Sequence, residues 1–146
     1  MLFRSVLTAD SWQLSNAPIL EMAALRASFE LFDEAGMDRL VKKSYLLTSY
    51  LNFVINDVLS NANQTSLVKI ITPFLEQKQG CQLSLQFEAN GKKIFDALTR
   101  NGVIADWREP DQEGRGSGVI RVAPVPLYNS FNDVCRFGQL LKDAIS

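Results

Sequence analysis

Arg121 is the residue of this sequence best placed to do chemistry. It stands in Val119-Ile120-Arg121-Val122-Ala123-Pro124, a run that is otherwise apolar. A guanidinium keeps its proton in a protein, and burying it unpaired is costly. It must therefore face water, an acidic partner, or a ligand carboxylate that it can hold in a bidentate fork. Spacing alone favours the first two. Ser15 and Asn16 are the next candidates, because they precede an expected helix. Hydroxyl, amide and helix N-terminus together would suit an anion, although a plain N-cap is the simpler reading.

Other residue types are excluded or discounted. There is no histidine, so the chain has no His general base, no Ser-His or Cys-His nucleophile pair and no His-ligated metal site. No catalytic residue and no metal ligand set is assigned. Cys81 and Cys135 are expected as buried small apolar residues rather than nucleophiles, and the reduced interior of a cell is the expected setting. Lys42, Lys43, Lys92 and Lys93 read as solvated charge on helix faces. Gly114-Arg115-Gly116-Ser117-Gly118 lacks the phosphate-loop pattern and precedes a strand, so it is expected as a flexible insertion. Fifteen Lys and Arg against sixteen Asp and Glu leave a net charge of −1, which argues against a nucleic-acid partner. No apolar run approaches the ~18 residues of a membrane span, and no signal peptide is expected.

These residues need elements to hold them. The chain has 146 residues, 47% hydrophobic and 21% charged, a balance that suits one globular domain with a core. Asn16-Ala17-Pro18 predicts a helix start, with Asn16 as the cap and Pro18 in the first turn. That helix should run to about Glu34 and stop at Gly36. It is apolar on most sides, which hints at cover from outside the chain. Asp38 predicts the cap of a second helix reaching about Ser60, with Leu40, Leu47, Leu51, Val54 and Val58 at helical spacing. Strands are expected over Val68–Thr72, Gln82–Phe87, Val103–Trp107 and Val119–Val122. A short helix carrying Ile94, Phe95 and Leu98 falls between Asn90-Gly91 and Asn101-Gly102. Ser130 with Asp133 predicts the start of a last helix, with Val134, Phe137, Leu140 and Leu141 inward. The order α-α-β-β-α-β-β-α predicts an α+β fold: two N-terminal helices, then a two-layer sandwich of mostly antiparallel sheet and helices.

Several stretches then match a known family. Trp12-Gln13-Leu14-Ser15-Asn16-Ala17-Pro18-Ile19 resembles the opening of a kynureninase motif. Phe32-Asp33-Glu34-Ala35-Gly36-Met37, Ile70-Ile71-Thr72-Pro73 and Gly80-Cys81-Gln82-Leu83-Ser84-Leu85 follow in order. So do Gly102-Val103-Ile104-Ala105-Asp106-Trp107-Arg108-Glu109-Pro110 and Ile120-Arg121-Val122-Ala123-Pro124-Val125-Pro126-Leu127-Tyr128-Asn129-Ser130-Phe131. The resemblance covers about residues 12 to 142. It implies the small C-terminal domain of a pyridoxal 5'-phosphate enzyme of the aspartate aminotransferase fold (fold type I). Such enzymes are homodimers, cytoplasmic, and hydrolyse L-kynurenine, or 3-hydroxykynurenine, to an anthranilate and L-alanine in tryptophan degradation and NAD biosynthesis. It implies an irregular N-terminus over 1–11, a helical linker or interface segment over 12–62, and a small α/β domain over 63–146. It places the Schiff-base lysine upstream of the matching region, so this chain alone is expected to be inactive. By position, Arg121 matches the arginine that grips the substrate carboxylate. Asn16 matches a residue near cofactor and substrate, and Ser15 matches a substrate-side residue of the same pocket.

Two stretches depart from the family pattern. Asp111–Gly118 is longer than the usual link and is expected as a surface loop that leaves Arg121 in place. Residues 1–5 carry no resemblance, and Leu2-Phe3-Arg4-Ser5 is also what a common sequencing adapter encodes in one frame. The expectation is a gene cut at an assembly edge. Two alternatives stay open: a stand-alone amino-acid-binding module, and a truncated product with no function.

Overall fold

The computed structural model describes residues 7–13, 15–62, 68–73, 80–109 and 118–145. The expected loop over Asp111–Gly118 lies outside these residues apart from Gly118, and so do residues 1–5. The chain divides into two compact units, Met1–Met37 and Asp38–Ser146.

The first unit holds a 3-10 turn, Ala9–Trp12, and helix α1, Ile19–Ala35. Asn16 does not cap α1. The cap position falls to Pro18, whose carbonyl accepts from the Met22 N–H at 3.0 Å, and no side chain caps the helix. A capping side chain must reach the second or third amide of the helix, and Asn16 stands two residues too early. At the far end Gly36 has φ 80° and donates to the Phe32 carbonyl at 2.8 Å, closing the helix as expected. No residue of α1 is buried.

The second unit holds α2 (Met37–Asn61), which opens at the boundary, then β1 (Val68–Ile70), β2 (Leu83–Phe87), α3 (Gly91–Arg100), β3 (Asp106–Arg108), β4 (Gly118–Val122) and α4 (Phe131–Ile145). Asp38 lies in the first turn of α2 rather than at its cap. The four strands form one antiparallel sheet in the order β1-β2-β4-β3. The expected α+β class is what the structure has. One core joins Leu47, Leu51, Ile55 and Val58 of α2 to Leu83, Leu85 and Phe87 of β2. It continues through Ile94 and Leu98 of α3, Ile120 and Val122 of β4, and Val134, Phe137 and Leu141 of α4.

Two strands differ from expectation by more than one residue at an end, whereas β2 and β4 differ by one. β1 stops at Ile70, because Thr72 precedes a proline and pairs through its side chain. Ile71 N–H still reaches the Ser84 carbonyl at 2.9 Å, but the Ser84 N–H donates to Thr72 Oγ1 at 2.9 Å. β3 starts at Asp106 instead of Val103, since the Val103 N–H is taken by the Leu98 carbonyl at 3.0 Å in the turn that ends α3. At α4, Ser130 and Asp133 form the expected reciprocal cap. Ser130 N–H donates to Asp133 Oδ2 at 2.7 Å, and Asp133 N–H donates to Ser130 Oγ at 3.4 Å.

Candidate functional site

Alternation along the strands sorts the sheet into two faces. Val68, Leu83, Leu85, Phe87, Ile120 and Val122 are buried and join the helices. The opposite face carries Ser84, Gln86, Asp106, Arg108 and Arg121. Register sets them side by side, with Arg121 opposite Ser84 on β2 and opposite Asp106 on β3. Directly opposed residues share a face. Arg121 is thus on the polar side of a strand whose other side is core, which is how a charge fits inside an apolar run.

The guanidinium is held on two flanks. Gln82 Oε1 accepts from Arg121 Nε at 3.1 Å and from Nη2 at 2.8 Å. Asp106 Oδ2 accepts from Arg121 Nη1 at 3.0 Å. The same oxygen accepts from Arg108 Nε at 2.8 Å. Gln82 is itself steadied, because its Nε2 donates to Ser84 Oγ at 3.3 Å. The Arg121 side chain stays 39% exposed and that of Asp106 45%. Of the five N–H groups on a guanidinium, three are engaged here. Among the described residues, one N–H on each terminal nitrogen has no acceptor.

Gln82 and Asp106 were not among the residues that sequence reasoning singled out. The alternation Asp106-Trp107-Arg108 does put two charges on one strand face, and that was the available signal. Ser15 and Asn16 stand in the first unit, both exposed, ahead of α1. The cysteines also differ from expectation. Cys81 is half-buried and Cys135 is exposed, because Cys135 falls beside the inward stripe of α4 formed by Val134, Phe137, Gly138 and Leu141. The pKa of the Tyr50 hydroxyl is pushed up, by burial first and by the Cys135 thiol second. Among the described residues no helix is long and apolar enough to cross a membrane, and no group of three His, Cys, Asp or Glu side chains could hold a metal ion.

A family model described as the kynureninase C-terminal domain matches residues 40–141. The chain belongs to the kynureninase family. The kynureninase of Flavobacterium psychrophilum is 43% identical over 143 residues, which is 98% of this chain and 32% of that protein. The kynureninase of Mus musculus is 45% identical over 136 residues, 91% of this chain and 28% of that protein. The chain thus spans about a third of the length of the kynureninases it matches. Among solved structures, 8-amino-7-oxononanoate synthase from Francisella tularensis superposes with a TM-score of 0.55 at 10% identity. The match covers 92% of this chain and 35% of that one, and it shows likeness of fold.

Proposed function

We propose that this chain forms the carboxylate-gripping side of a kynureninase active site. The reaction is hydrolysis of L-kynurenine to anthranilate and L-alanine. The observation that carries the reading is Arg121, half-exposed on the polar face of the sheet, with one N–H on each terminal nitrogen that no described residue engages. A permanent cation with two such donors suits the α-carboxylate of an amino acid. The resemblance assigns that role to the same residue. Asn16 is proposed to lie near the cofactor and the substrate, and Ser15 on the substrate side of the same pocket. The working enzyme is proposed to be a cytoplasmic homodimer.

The family's cofactor is pyridoxal phosphate, which is bound through an imine to a lysine. The described residues do not fit that task. An imine-forming lysine needs a desolvated or cation-neighboured amine, and no described lysine is buried. Lys92, for example, is paired with Asp96 at 2.7 Å and lies over the Phe95 ring. The reading therefore assigns the imine lysine to another part of a longer protein, and gives this chain substrate orientation.

The test is a full-length hybrid in which this segment replaces the matching stretch of the Flavobacterium psychrophilum kynureninase. Arg121→Ala in the hybrid should raise KM for L-kynurenine on the order of 100-fold, the scale of losing one partner of a desolvated charge pair. The hybrid should still fold. An unchanged KM overturns the reading.

A further inference from the structure

Arg121 has long, flexible torsions, and a fork that grips a carboxylate must be aimed before the ligand arrives. Two groups fix it. The Nε and Nη2 edge of the guanidinium is closed by one oxygen of Gln82, and Nη1 is drawn to Asp106. Gln82 faces the guanidinium with its amide oxygen, while its amide nitrogen is turned to Ser84 Oγ. Asp106 also takes Arg108 on the same oxygen. Two guanidiniums on one carboxylate leave an excess of one positive charge among these three residues. Glu109, one residue further on, is engaged by the Trp107 indole N–H at 3.0 Å, on the side chain that alternates away from this cluster.

We propose that Gln82 and Asp106 are positioning residues that aim the remaining N–H pair of Arg121 at the substrate carboxylate. This rests on the assignment of Arg121 as the carboxylate grip. Gln82 supplies an acceptor without charge, so it orients the guanidinium without competing for it. Asp106 supplies a charge, and Arg108 keeps that charge from cancelling Arg121.

The experiment uses the full-length hybrid with Gln82→Met, Asp106→Asn and Arg121→Ala. Gln82→Met keeps the bulk of the side chain and removes the acceptor. Each of the first two substitutions should raise KM for L-kynurenine roughly tenfold, the scale of one charge-assisted hydrogen bond, with kcat within about twofold. Inhibition by the decarboxylated amine analogue of kynurenine should be unchanged in both, whereas a merely structural defect would weaken both ligands alike. If Arg121→Ala raises KM and the two flanking variants do not, the positioning role is overturned while the grip stands. If Arg121→Ala leaves KM unchanged, the grip itself fails.

A second measurement needs no activity. In the 146-residue chain, the Arg121 Nε–H should give a nitrogen-correlated proton resonance protected from exchange with water. Gln82→Met should abolish that protection with the backbone amide spectrum otherwise retained. Retained protection overturns the role of Gln82.

Discussion

A guanidinium and an ammonium carry the same charge but differ in shape, and at position 121 the shape matters. Gln82 and Asp106 are placed for a planar fork with donors on three sides. A lysine there would reach one acceptor at a time. Arg121→Lys in the full-length hybrid is therefore expected to recover little of the KM that Arg121→Ala loses. Near recovery would show that charge alone binds the substrate. Asp133 gives a second expectation. The backbone N–H of Ser130, and then its hydroxyl, hold the Asp133 carboxyl below its ordinary 3.8. A carboxyl with a depressed folded pKa contributes stability above its unfolded value and loses it as pH falls through the folded value. The gap in Tm between the parent chain and Asp133→Asn should hold steady above pH 3.8 and close below it. Arg121 was legible as a charge breaking an apolar run. Gln82 and Asp106 were not, because only strand register brings them beside it.

Elements approach closely at Gly138, where an added Cβ would meet Val54 Cγ1 on α2. Glycine in a helix interior costs up to ~1 kcal/mol relative to alanine, so Gly138→Ala gains in propensity. Overpacking costs about 1–3 kcal/mol, and the Val54 methyl makes that the larger effect. Gly138→Ala should therefore destabilise the chain in urea unfolding. Against a Val54→Ala background the same change should stabilise it, and the reversal of sign is the check. The helices were legible because their apolar spacing and stop signals agree, as at Gly36 and at Ser130 with Asp133. Their first residues were less so. Pro18 took the place expected of Asn16, since a residue ahead of proline is held out of the helical conformation. The third strand began three residues late, because Val103 spends its N–H on the end of α3.

For the whole molecule, reaction chemistry and substrate grip are expected to be separable. The purified chain with pyridoxal phosphate and L-kynurenine should release no anthranilate, which fluorescence measures directly. Borohydride reduction followed by mass spectrometry should find no stoichiometric adduct on a single lysine. Turnover, or one such adduct, would mean that the chain holds a cofactor site of its own. The α+β class followed from the order of elements. The division of the chain at Met37 had no signal in composition, because α1 and α2 are both apolar-rich helices joined by a single glycine.

Arg121 and the two residues that hold it are distant in sequence. Gln82 lies 39 positions from Arg121 and Asp106 lies 15, and they meet only when β2, β3 and β4 are zipped together. A half-formed sheet cannot display the grip, so a ligand that uses it binds the folded state alone. By mass action such a ligand adds about 2.7 kcal/mol to folding at one hundred times its dissociation constant. The substrate would then act as a pharmacological chaperone for this sheet, and a rise in melting temperature with free amino acid would report ligation without any turnover.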